Sequence, residues 1–270
     1  MADRVWRDLD QAELDAQVNL RARWPHHPEV FARWASASAI AREQLPRRLD
    51  LSYGHSPGET LDFFPAAGPG PAPLLIFIHG GYWQALDKGD FSYLAPPFVE
   101  AGIAVASVNY DLAPRVSLDV MVRQIDRAVA WLAHRAAELG CDRTRLVVAG
   151  HSAGGHLAVM ALLREGARAV DRGQRPLLRG GVSVSGVYDV RPIALSYPQK
   201  VLGFSERDVQ EHSPLRRQAL RCAPLVVGVG GAETPEFLRQ QDALVAQWQA
   251  LDLPVEVVAL PGRDHFNAVD

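Results

Sequence analysis

Arg145-Leu146-Val147-Val148-Ala149-Gly150-His151-Ser152-Ala153-Gly154-Gly155-His156-Leu157-Ala158-Val159-Met160 decides how the rest of the chain is read. Residues suited to a buried strand run into a serine flanked by glycines, and an apolar helical pattern follows at once. A Gly-x-Ser-x-Gly turn in this setting lifts the serine hydroxyl above a sheet edge, at the positive end of the next helix. Side chains at 150 and 154 would collide with neighbouring backbone, which is why glycine is needed there. A phosphate-binding loop is the competing use of such a turn, but neither the GxGxxG nor the GxxxxGK(S/T) spacing fits. A second match, Gly54-His55-Ser56-Pro57-Gly58, is followed by strand-like Glu59–Phe64 instead of a helix. Ser56 therefore reads as turn filler.

Outward from Ser152, short apolar runs alternate with helical patterns. The runs are Leu74–Ile78, Ile103–Val108, Arg145–Ala149, Gly181–Val184, Leu225–Val229 and Val255–Ala259. They are continuously apolar, as strands covered on both faces are. Between them, Leu118, Met121, Val122, Ile125, Val129 and Leu132 form one helical stripe, with Ser117 placed to cap it. Another helix starts at Thr234-Pro235-Glu236, with Thr at the N-cap and Pro in the first turn. The expected fold is α/β, a mostly parallel sheet with helices on both faces. Arg48–Tyr53 and Glu59–Phe64 predict an antiparallel hairpin at the sheet edge. Residues 1–45 read as helices broken at Pro25 and Pro28, a candidate lid on a single domain spanning 1–270.

A serine nucleophile needs donors for the oxyanion, a base and an acid. His79-Gly80-Gly81-Tyr82-Trp83 follows the strand Leu74–Ile78 and can supply a backbone N–H at Gly81; Ala153, after the serine, supplies the second. Tyr82 and Trp83 are candidates to line a substrate pocket, with packing beneath the loop as the other reading. Among nine histidines, His265 alone follows the last strand and a Pro261-Gly262 turn, the place of the base when the chain order is Ser, acid, His. Glu233, after Leu225–Val229, is the first choice for the acid. Asp189, after the preceding strand, is its rival, and Asp264 should point elsewhere.

Composition narrows the partners. The 270 residues carry a net charge of −3, so the basic footprint of a nucleic-acid binder is absent. No apolar run is long enough to span a membrane, and the start, Met1 to Arg7, is charged and lacks a signal-peptide core. Two cysteines, Cys141 and Cys222, make neither a disulfide framework nor a metal motif. A cytoplasmic protein acting on a small molecule is expected, with no metal or organic cofactor and with homo-oligomerisation open.

Taken together, His79-Gly80-Gly81-Tyr82-Trp83, Gly150 to His156, Ser185-Gly186-Val187-Tyr188-Asp189, Ser213-Pro214-Leu215 and Asp264-His265-Phe266 resemble the kynurenine formamidase (arylformamidase) family of α/β hydrolases. The resemblance implies the α/β-hydrolase fold, Ser152 as nucleophile, His265 as base, Gly81 and Ala153 as oxyanion donors, and the acid at Glu233. The family usually carries Asp at that last position. It also implies hydrolysis of an N-formyl arylamine such as N-formyl-L-kynurenine, with release of formate. A carboxylesterase for small acyl esters would use the same residues, and a non-catalytic binding module is the alternative from another class. An aromatic leaving group calls for aromatic walls. Tyr82, Trp83, Trp24, Phe31 and Trp34 are candidates, although the helical spacing of Phe31 and Trp34 reads first as core or lid packing.

Overall fold

In chain order, helices α1 (Gln11–Val18), α2 (Leu20–Arg23) and α3 (His27–Gln44) precede strands β1 (Arg48–Ser52) and β2 (Thr60–Phe64). Then β3 (Ala72–Ile78), α4 (Ala95–Glu100), β4 (Ala104–Val108), α5 (Leu118–Arg135), β5 (Cys141–His151), α6 (Ala153–Arg172) and β6 (Leu178–Val184) follow. Three short helices, α7 (Arg191–Ala194), α8 (Gln199–Leu202) and α9 (Glu206–Glu211), lead to β7 (Leu225–Gly230), α10 (Pro235–Ala250) and β8 (Val255–Leu260). These elements come from a computed structural model that describes residues 3–217 and 222–270; Met1 and Ala2, part of the charged start, lie outside them.

The strands form one sheet in the order β1-β2-β4-β3-β5-β6-β7-β8. The β1–β2 hairpin pairs antiparallel to its neighbours and every later pairing is parallel. Parallel strands put all their carboxyl ends on one edge, and the segments after β3, β5, β7 and β8 meet there. The apolar stripe of α5 is buried as its period requires, and Ser117 accepts from the Val120 N–H.

Three expectations need correction. β8 was expected to be covered on both faces, yet it is the outer strand, with Val257 50% and Val258 42% exposed. Its composition matches a buried strand, and only its place in the sheet order makes it an edge. Pro28 does not break a helix; it lies in the first turn of α3, where its missing N–H costs nothing. Thr234 occupies the N-cap of α10, but its hydroxyl donates to Gln17 O (2.9 Å), and Gln17 Oε1 accepts the Glu236 N–H instead. The N-terminal segment thus helps cap a helix more than 200 residues away.

The turn at Ser152 is backbone-strained, with φ 56° and ψ −120°. It fits because α6 comes down directly against β3. A Cβ at Gly154 would sit 2.0 Å from Ile78 O and 2.5 Å from His79 O. His151 and His156 flank this turn and are buried. Each gives a ring N–H to a backbone carbonyl, His265 O at 2.8 Å and His212 O at 2.6 Å. Burial pushes both down to about 3, so both are neutral near pH 7.

Two outcomes follow. Gly154→Ala forces backbone against backbone and should cost about 3 kcal/mol, lowering Tm by roughly 6 °C or more; an unchanged melting curve would contradict the close approach of α6 and β3. As pH falls below 6.5, the unfolded chain protonates two histidines that the folded chain keeps neutral down to about 3. Stability should therefore decline from about pH 6.5 downwards, by up to about 1.4 kcal/mol per pH unit per histidine. Chemical denaturation between about pH 7.5 and pH 4.5 checks the sign. His156→Asn should flatten the slope, whatever it does to the absolute stability.

Candidate active site

The carboxyl edge of the sheet brings three side chains into one line. Ser152 Oγ lies 2.9 Å from His265 Nε2, and His265 Nδ1 lies 2.8 Å from Glu233 Oε2. The hydroxyl can donate to Nε2 while Nδ1–H donates to the carboxylate. All three are buried, Ser152 at 4%, His265 at 2% and Glu233 at 4% exposure. A weakly screened carboxylate beside an imidazole favours the imidazolium that forms when a serine gives up its proton. The loops carrying the acid and the histidine are laced together by Gly231 N–H to Leu260 O (2.9 Å) and Ala232 N–H to Arg263 O (3.0 Å).

Asp189 is not part of this line. Its carboxylate accepts from Arg216 at 3.1 and 3.2 Å and from the Arg191 N–H. Asp264, too, faces away from the ring. It accepts from the Phe266 and Asn267 N–H groups and meets His26 Nε2 at 2.9 Å. Ser56 stays in its hairpin turn, where its hydroxyl accepts from Gln124.

Gly81 and Ala153 are the residues expected from the sequence to offer backbone N–H groups beside Ser152. Gly81 has φ 106°, and a Cβ there would meet Ala85 O at 2.0 Å, so the loop after β3 can take this shape only with glycine. Its N–H has no partner among the described residues, and it lines the same cavity as Ser152. Ala153 opens α6, where a first-turn N–H has no intrahelical acceptor. His79 props the loop from beneath, its ring held between Gly80 O and Asn109 Oδ1, both at 2.8 Å.

The cavity above Ser152 holds about 470 Å³. Leu20, Phe31, Trp34, Tyr82, Leu86 and Phe266 give it an apolar, largely aromatic wall. Phe31 and Trp34 therefore do both jobs weighed for them, packing and lining. Tyr82 lines the cavity and anchors it, its hydroxyl donating to Val18 O (2.8 Å). Trp83 does not line it. Tyr82 and Trp83 both have positive φ, 52° and 55°, and the double turn sends the indole beneath the loop. Trp83 is fully buried there, edge-on to His156 and Phe204. Trp24 sits behind the wall, edge-on to Phe266.

The N-terminal helices close this end of the molecule. Trp34 Nε1 donates to Asp270 Oδ1 (2.9 Å), and Phe31 stacks edge-on to Phe266 at 5.4 Å. Two groups support the line of Ser152, His265 and Glu233, and the sequence reading missed the first while reading the second only as a loop stabiliser. Ser185 donates to Glu233 Oε1, the carboxylate oxygen that His265 does not use. His151 holds the backbone of His265 through its carbonyl. Ser185 stands in one of the quoted motifs, directly after β6, and that position was the signal available; its φ of 51° is visible only in the folded chain. Among the described residues no group of three or more His, Cys, Asp or Glu side chains is placed to hold a metal ion, and no helix is long and apolar enough to cross a membrane.

Comparisons with known proteins agree with this architecture. The family described as BD-FAE matches residues 61–194. Kynurenine formamidase of Salmo salar is 31% identical over 98% of this chain and 92% of that protein. The Danio rerio kynurenine formamidase is 30% identical over the same shares. Esterase LipQ of Mycobacterium tuberculosis is 28% identical over 87% of this chain and 55% of its own. Among solved structures, one from Silicibacter sp. TM1040, described as a candidate thioesterase, superposes with TM-score 0.83 at 33% identity, covering 95% of this chain and 93% of that one. A mostly parallel eight-stranded sheet, a serine raised between β5 and α6, and near full-length similarity at this level lead to one conclusion: the chain belongs to the kynurenine formamidase family of α/β hydrolases.

Proposed function

We propose that the chain is a serine hydrolase that cleaves the formamide bond of an N-formyl arylamine such as N-formyl-L-kynurenine. The observation that carries this reading is the line Glu233–His265–Ser152 opening into an aromatic-walled cavity. Ser152 Oγ attacks the formyl carbon as His265 Nε2 takes its proton. The carbonyl oxygen becomes an oxyanion held by the N–H groups of Gly81 and Ala153. The imidazolium, steadied by Glu233, then protonates the departing nitrogen and the C–N bond breaks. Water, deprotonated by His265, attacks the formyl-serine ester and releases formate. Formyl has no substituent beyond hydrogen, so the acyl side needs little room and the cavity serves the aryl group. Ser185 holds Glu233 so that its other oxygen faces the histidine. The N-terminal helices act as a bolted roof over the aryl end, the role read for residues 1–45. Two free cysteines, one buried, suit a cytoplasmic setting.

Hydrolysis of small acyl esters is the second reading. It is favoured by the similarity to esterases, whose substrates could use the same serine and oxyanion donors.

Turnover of N-formyl-L-kynurenine compared with p-nitrophenyl acetate and butyrate separates the two. The formamide should show the higher kcat/KM; a value far below that for the esters would leave the esterase reading. Ser152→Ala should lower kcat by at least about 10⁴-fold, and Glu233→Gln by about 10³ to 10⁴-fold, with folding intact. A fluorophosphonate probe should label Ser152, and no labelling of folded protein would favour a binding module. Ser185→Ala removes one hydrogen bond to a charged carboxylate. It should lower kcat about tenfold to a hundredfold while KM holds. Equal changes in KM would mean that Ser185 shapes the cavity instead of the acid.

A further inference from the structure

The cavity wall contains one permanently charged side chain. Arg21, in α2, lines it, and no Asp or Glu does. His151, also in the wall, is neutral near pH 7, and His265 is engaged with Ser152 and Glu233. Arg21 is exposed to solvent where it lines the cavity, so its charge is tolerated without a protein partner and stays available to an anion that enters.

Arg21 has not been neutralised by the protein. Its guanidinium lies over the Phe31 ring, 5.8 Å from the centroid, and no carboxylate pairs with it among the described residues. Asp15 does not pair with it either; its Oδ1 accepts from the Tyr197 N–H (2.8 Å) and from Gln11. The neighbouring Asn19 uses its oxygen to cap α2, accepting from the Ala22 N–H, which leaves its amide N–H groups for the cavity. Stacking on Phe31 limits the rotamers of Arg21, so less freedom is lost when a ligand arrives. The chain as a whole is net negative, so this cation is a local feature and not part of a basic surface.

We infer that Arg21 is a specificity residue that grips a carboxylate on the substrate, at the end remote from the bond cleaved. The favoured substrate is then an anionic aryl compound, with Ser152 addressing its acyl group and Arg21 its carboxylate. The inference rests on the reading of this cavity as the substrate site, and deepens it.

Two matched substrate pairs test it. One is N-formyl-L-kynurenine and its carboxamide, followed by formate release. The other is 3-(4-acetoxyphenyl)propionate and its carboxamide, followed by acetate release. In each pair only the charge differs. The native enzyme should prefer the carboxylate member by about tenfold or more in kcat/KM, through KM. Arg21→Gln should bring that preference close to one, and Arg21→Lys should restore part of it. A preference that survives Arg21→Gln, or none in the native enzyme, overturns the inference. If only the ester pair is cleaved and its preference depends on Arg21, the formamide reading falls and the role of Arg21 stands. No turnover of either pair overturns both.

Discussion

Everything at the site depends on one backbone turn. Ser152 is held at a φ that L-residues seldom adopt, and the strain persists because β5 and α6 fix it from both sides. The turn does three things together. It raises the hydroxyl clear of the sheet, aligns the first turn of α6 beneath it, and brings α6 so close to β3 that only glycine fits at 154. The loop after β3 then lies beside the serine, with Gly81 in reach. A looser connection would separate Ser152 from the loop that carries Gly81.

The remaining parts are placed by the parallel sheet. Glu233 and His265 come from the ends of adjacent strands, β7 and β8, and their loops share backbone hydrogen bonds. The imidazole is therefore positioned from several directions: by Ser152 and Glu233 through its ring, by His151 through its carbonyl, and by Phe237 and Phe266 through edge contacts. Such over-determination is how a catalytic geometry is kept without reorganisation at the moment of reaction. Helices α1 to α3 add the outer wall, tied to distant parts of the chain by Gln17, Trp34 and Tyr82.

The strand–serine–helix segment, the hairpin and the helix cap at 117 could all be read from residue types, because each depends on local periodicity or on glycine at a fixed offset. Between Glu233 and Asp189 the residue types gave an order of preference and no decision, because each follows a strand; only the folded chain puts the Glu233 carboxylate against His265. Other features depend on contacts between residues far apart in the chain. Whether β8 is covered depends on its neighbours in the sheet and not on Val255 to Leu260. The direction of Trp83 depends on two successive positive φ angles, which the residue types Tyr and Trp do not announce. Ser185 gains meaning only when β6 and β7 lie side by side, and Arg21 only when Phe31 and the cavity stand beside it.

The edge contact of Phe31 with Phe266 joins α3 to a segment that follows β8. During synthesis, α1 to α3 emerge well before the segment they pack against. The cavity therefore cannot close until that segment has been made. Contacts this far apart in sequence are slow to form, because a large loop must be closed before they contribute. The site should accordingly be among the last regions to mature, and a chain cut before β8 would present Ser152 without His265 beside it.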